Sequence, residues 1–197
     1  MKWTNWDAEV PRILRHVQTY GYTTFSGEYD LNIIGVRSSN RRSGKFDDFL
    51  HVVYQELGDW IEEVYECTTD PSTSYHRVPL HATGVAIVKE GQYRGVWKLG
   101  KHRGLYKALV QTGGPITIYR DSNLDDIADY VDEDTGYFGI NLHRAGRSSL
   151  MDNTKDFSAG CICIRSPLDY ARFIRLCELQ DENGKGSKYS FTLVREK

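Results

Sequence analysis

No stretch of this sequence approaches the about eighteen consecutive apolar residues that a membrane-spanning helix needs, so no span is expected. A basic start followed by an apolar run is also missing. The chain opens MKWTNWDAEVPR, where charges and Pro11 interrupt any Sec-type signal, and the expectation is a soluble protein made in the cytoplasm. Excess positive charge is absent too: 25 Lys and Arg face 27 Asp and Glu, a formal net charge of −2, which supplies no broad field for a phosphate backbone. Nucleic acid and membrane are therefore not expected partners. The small basic cluster of Arg41, Arg42 and Lys45 sits among Ser and Gly and reads as a solvated loop.

Cysteine is sparse. Four cysteines in 197 residues do not form the dense framework of a small secreted scaffold, so reduced thiols are expected. On one strand, Cys161 and Cys163 would have Cα atoms roughly 6.6 Å apart, near the outer limit for a bridge, which argues against a disulfide. Cys161, Cys163 and His143 lack a CxxC pair and a conventional fourth ligand, which argues against zinc. The acidic run 121–134 holds seven Asp or Glu but not the Asp-x-Asp-x-Asp-Gly spacing of a calcium loop, and reads as a solvated surface loop. No metal and no cofactor are expected.

What is present suits one ordinary globular domain: 40% hydrophobic and 26% charged residues, with no repeat, linker or low-complexity tract to divide 1–197. After Thr4 and Asn5, either of which is a plausible cap, Val10, Ile13, Leu14 and Val17 follow helical spacing until Gly21, so residues 1–28 read as a helical N-terminal extension. Strands are predicted at 29–36, 49–55 and 60–67, the last two joined as a hairpin around Gly58 and Asp59, then at 83–88, 96–99, 109–111 and 116–119. Residues 67–72, CTTDPS, are loop chemistry with no assigned role. Ser166-Pro167-Leu168-Asp169 is an N-cap signature, after which Tyr170, Phe173, Ile174 and Cys177 share one helical face, with Cys177 read as core. Tyr189, Phe191 and Leu193 alternate as a closing half-buried strand. The fold class expected is α+β, predominantly β.

The chemistry concentrates in two segments, Gly139-Ile140-Asn141-Leu142-His143-Arg144 and Ser158-Ala159-Gly160-Cys161-Ile162-Cys163-Ile164. A neutral thiol is a poor nucleophile at pH 7 and needs an imidazole to take its proton, which makes Cys161 the candidate nucleophile and His143 its base. Gly160 permits close approach of a substrate carbonyl, and the N–H groups of Gly160 and Cys161 are candidate oxyanion donors. Ser158 either hydrogen-bonds the loop or substrate, or simply orients Gly160. Alone, Cys161 also fits an inert buried thiol and His143 an ordinary polar residue; together they favour catalysis. Lys101 and His102 read as a solvated turn.

His, then roughly fourteen to seventeen residues, then Ser/Thr-x-Gly-Cys resembles the signature of the L,D-transpeptidase (YkuD-type) catalytic domain, here from His143 to Cys161. Tyr137-Phe138-Gly139-Ile140 before the histidine is similar to that family's aromatic-Gly-Ile-His strand. The blocks CTTDPS, KLGKHRGLYKALVQ, ITIYRD, GYFGINLHRAG and SAGC look like those of small phage and prophage members, spanning residues 67–161. Ala159 departs where many members carry His or another polar residue, and Cys163 departs where members usually carry a substrate-contacting Arg. Arg165 and Arg144 are candidate substitutes for that cation.

The resemblance implies an L,D-transpeptidase-like β-sandwich or barrel, with an N-terminal helix and a helix following the cysteine strand. It also implies a Cys161 thioester formed with peptidoglycan stem peptides. Hydrolysis, as an L,D-carboxypeptidase or endopeptidase of endolysin type released through a holin-opened membrane, is the expected outcome. Alternatives are cross-linking transpeptidation, a non-catalytic wall-binding or virion protein, and an interbacterial toxin. Oligomeric state is open.

Overall fold

The computed structural model describes residues 9–154 and 156–196. Along the chain run α1 (Arg12–Gln18), β1 (Asn32–Arg37), β2 (Asp48–Glu56), β3 (Asp59–Thr68), α2 (Thr73–Arg77), β4 (Val85–Val88), β5 (Gly91–His102), β6 (Tyr106–Gln111), β7 (Ile116–Asp121), β8 (Glu133–Gly136), β9 (Leu142–Arg144), β10 (Ile162–Ile164), α3 (Pro167–Glu182) and β11 (Tyr189–Arg195). The protein is predominantly β. Eight strands close a barrel in the order β1-β11-β5-β6-β9-β10-β3-β2, and β4-β7-β8 form a separate three-stranded sheet. Among the described residues no helix is long and apolar enough to cross a membrane.

Period-two side-chain alternation sorts the barrel's two faces. Ile33, Leu50, Val52, Tyr54, Tyr189, Phe191 and Leu193 join the main core, whereas Ile34, Val53 and Val194 join a second cluster with Leu14 and Val17 of α1. The opening helix is thus a patch over the outside of β1, β2 and β11. It starts after Pro11 with no side-chain cap; the predicted caps Thr4 and Asn5 lie outside the described residues. The β2–β3 hairpin turns through Leu57 (φ 53°) and Gly58 (φ 85°), the left-handed pair that a two-residue connection requires.

Helix α3 begins as its sequence predicts. Ser166 Oγ accepts from the Asp169 N–H at 3.3 Å, Pro167 opens the helix, and Tyr170, Phe173, Ile174, Leu176 and Cys177 are buried. Burying Phe173 alone contributes roughly 1.5–3 kcal/mol.

Three segments differ from the sequence expectation. Of the helical extension expected over 1–28, the described residues are helical only at Arg12–Gln18, because Gly21 takes φ 74° and ends the helix. The run 121–134 is not simply a solvated loop. Asp121 is buried, accepting from the N–H groups of Asn123 and Asp129, Ala128 is buried, and Glu133 and Asp134 open β8. Residues 67–72 are interior too. Asp48 accepts from the Thr69 N–H (2.6 Å) and hydroxyl (2.7 Å), and the wholly buried Arg37 pairs with Asp70 (3.2 Å) and Glu90 (3.0 Å). Buried charges persist only when paired and hydrogen-bonded, and this network pins the end of β3 beside β10.

Candidate functional site

Strands β9 and β10 lie parallel, with Leu142 opposite Ile162 and His143 opposite Cys163. The Ile162 N–H donates to Asn141 O at 3.0 Å, so Cys161, just before β10, faces Asn141 across the pair and His143 diagonally. Trp97 fixes the approach to β9 from inside the barrel by donating its indole N–H to Ile140 O at 2.8 Å. Cys161 and His143 line one cleft of about 620 Å³, together with His102, Arg103, Asn141 and Ala86 among others. No hydrogen bond joins the two. The Cys161 sulfur accepts from the Asn141 N–H at 3.4 Å and lies 3.8 Å from Gly139 O. Both side chains open into the same cleft, and catalytic hydrogen bonds commonly form or tighten only with substrate bound.

The turn carrying the thiol is built from Ser158 and Gly160. Ser158 is fully buried. Its hydroxyl donates to Cys161 O at 2.6 Å and accepts from the Gly160 N–H at 3.1 Å. Its backbone is clasped by Ser72: the Ser72 N–H donates to Ser158 O (2.7 Å), and the Ser158 N–H donates to Ser72 Oγ (3.0 Å). Ser158 therefore orients the turn and is removed from the substrate-contacting set. Gly160 has φ +119°, and a Cβ there would lie 2.4 Å from Ala86 O. Only glycine lets the nucleophile turn rest against β4. Because the Gly160 N–H is committed to Ser158, it leaves the oxyanion set; the Cys161 N–H has no acceptor among the described residues.

The imidazole is fixed on several sides. His143 Nδ1–H donates to Arg144 O at 2.9 Å, with the Tyr106 hydroxyl 3.3 Å away, so Nε2 is the nitrogen left to accept a proton. The orienting group missing from the sequence reading is thus the next residue's own carbonyl. The His102 ring stacks on His143 at 4.1 Å between centroids, and its Nδ1 accepts from the Asn141 amide at 3.1 Å. Cys163 Sγ lies 3.4 Å from each ring nitrogen. Burial, then the neighbouring His102, pulls His143 down to about 3, and burial pushes the Cys161 thiol up to about 11, partly offset by the Asn141 N–H and the charge of Arg103. The resting pair is a neutral thiol and a neutral base.

Neither arginine nominated from the sequence reaches this cleft. Arg165 donates to Met151 O and Glu66, both at 2.6 Å, because it leaves β10 on the β3 side. Arg144 lies over the Tyr106 ring, 4.3 Å from its centroid, and faces a different groove. The cleft's cations are instead Arg120 and Arg103. Arg120 is neutralised by Asp134 at 3.1 Å, whereas Arg103, in the β5–β6 turn at φ 49°, is exposed and has no carboxylate partner among the described residues. His102 and Arg103 correct the reading of this segment as a solvated turn; pairing of Lys101 with Lys107 and His102 with Tyr106 brings its hairpin back over the site. Among the described residues no group of three or more His, Cys, Asp or Glu is placed to hold a metal ion.

Comparison of the chain with protein-family models, curated proteins and solved structures gave no match.

Proposed function

We propose that this chain is a cysteine acyl-transfer enzyme of L,D-transpeptidase type, hydrolysing peptidoglycan stem peptides through a Cys161 thioester. The observation that carries the reading is that a thiol just ahead of β10 and a neutral, Nδ1-protonated imidazole on the parallel strand β9 open into one cleft. As Sγ attacks the scissile carbonyl, His143 Nε2 takes the thiol proton, and the Cys161 N–H donates to the developing oxyanion. Collapse breaks the C–N bond, the imidazolium returns its proton to the departing amine, and the acyl group stays on sulfur. Water, deprotonated by the same imidazole, then cleaves the thioester and releases a shortened stem. Arg103 supplies the cleft's free positive charge for a substrate carboxylate. The eight-stranded barrel with the thiol just ahead of β10 and a helix after it supports the finer, L,D-transpeptidase-like fold assignment.

An endolysin-type lytic role, in the manner of a phage protein, follows from the sequence blocks and remains part of the proposal. A second stem amine in place of water gives transpeptidation through the same acyl-enzyme. A non-catalytic wall-binding protein is the second reading, favoured by one observation: the sulfur touching the imidazole belongs to Cys163 rather than Cys161. Mass spectrometry after incubation with muropeptides separates these. Catalysis predicts an acyl adduct on the wild-type chain, none on Cys161→Ala, and shortened stems in solution. Only new cross-links would overturn hydrolysis, and stem binding without adduct or turnover, unaffected by Cys161→Ala, would overturn catalysis.

A further inference from the structure

Behind the imidazole lies a second groove of about 390 Å³, whose lining includes Tyr106, Arg144, Arg147, Pro167, Tyr170 and Ile174. Tyr106 stands between this groove and the imidazole, its hydroxyl 3.3 Å from His143 Nδ1. Four cations line the groove, and they divide into two kinds. Lys107 is paired with Glu178 (2.6 Å), and Arg175 with Glu178 (3.4 Å) and Glu182 (2.6 Å). Arg144 and Arg147 have no carboxylate partner among the described residues. Arg144 spends its guanidinium on the face of Tyr106 and on Gly146 O at 3.4 Å, and Arg147 is exposed.

We propose that this groove is a second ligand site, which takes a carboxylate of a peptide with Arg144 and Arg147 as its cations. Guanidinium forks match a planar carboxylate. The walls favour a peptide over an inorganic anion: Tyr106 and Tyr170, edge to face at 6.3 Å, and the apolar Pro167 and Ile174 give methylene groups a surface to cover. Glu178 within the same groove repels a doubly charged phosphate more strongly than a singly charged carboxylate. The inference does not depend on thioester chemistry at Cys161.

The test is calorimetric titration of the full chain carrying Cys161→Ala and Arg103→Gln, which removes the thiol cleft's unpaired cation, with N-acetyl-alanyl-alanine, its C-terminally amidated counterpart and inorganic phosphate as probes. The free-carboxylate peptide is expected to bind at least tenfold more tightly than the amidated peptide and more tightly than phosphate. Adding Arg144→Gln and Arg147→Gln together should weaken it at least tenfold, Arg144→Lys should keep part of that affinity, and Arg42→Gln, an exposed arginine outside both clefts, should leave it unchanged. A circular dichroism melt of each variant separates lost binding from lost fold. Equal binding of the amidated peptide, preference for phosphate, or undiminished affinity in the Arg144→Gln, Arg147→Gln variant overturns the site. Thioester formation is measured separately on the wild-type chain, so the two proposals fail independently.

Discussion

The sulfur of Cys163 lies over the face of the His143 ring: it is 3.4 Å from both nitrogens, and an in-plane sulfur at that distance would collide with the carbon between them. With His102 stacked at 4.1 Å on the opposite face, the imidazole is held flat and its in-plane Nε2 stays free. Cys163→Ala should therefore cost about 1–2 kcal/mol of stability in denaturant melts and loosen the base. Cys163→Arg, which installs the residue usual in the resembled family, buries an unpaired charge at a fully enclosed position and should not yield folded protein. A folded, active Cys163→Arg variant would show that the strand pair is arranged otherwise.

Gly160→Ala meets two obstacles, a left-handed backbone and the Ala86 carbonyl at 2.4 Å. A loss of roughly 3 kcal/mol or more is expected, with acylation abolished, read by thermal melt and adduct formation. Near-wild-type stability would mean that the nucleophile turn is not seated on β4.

Ser158→Ala removes a hydroxyl that serves Cys161 O and the Gly160 N–H inside the protein. Leaving those groups unpaired should cost about 1–3 kcal/mol. Because the residue positions the thiol without touching substrate, kcat should fall while KM holds. An increase confined to KM would return Ser158 to substrate contact.

The thiol at about 11 and the imidazole at about 3 set the pH behaviour. Alkylation of Cys161 by iodoacetamide should keep accelerating through pH 10, and at neutral pH it should be about a hundredfold slower than for an ordinary thiol of 9.0, through the lower thiolate fraction. A plateau by pH 8 would refute a neutral resting thiol. The acylation rate should have no inflection near the ordinary histidine value of 6.5. Stability has the matching sign: between pH 6.5 and about 3 the unfolded chain takes a proton that folded His143 does not, so this contribution is present above 6.5 and is lost as pH falls.

Arg103→Gln should raise KM for a carboxylate-bearing stem about tenfold, with little change for a substrate whose carboxylate is amidated. Equal effects on both substrates would place Arg103 outside recognition.

Local patterns carried most of the architecture. The hairpin at Gly58, the cap at Ser166, the α3 face and the closing strand depend on interactions within a few residues or on period-two alternation, and each lies where the sequence puts it. The candidates Cys161 and His143 were legible because thiol, glycine and histidine stand in a recognisable spacing; their opening into one cleft was not.

What the sequence alone determined was most of the strands, helices α1 and α3 but not α2 or β8, and the choice of Cys161 and His143 as candidates. Tertiary structure decided the surroundings. The pairing of β9 with β10 set Cys163 over the imidazole, the β5–β6 hairpin delivered His102, Arg103 and Tyr106 from about forty positions upstream, and Ser72 reached across to hold Ser158. Side-chain periodicity reports which face of an element is buried, but it contains no record of which distant element will cover that face. Barrel closure makes that choice, and it turned Arg144 and Arg165 away from the thiol while leaving Arg103 beside it.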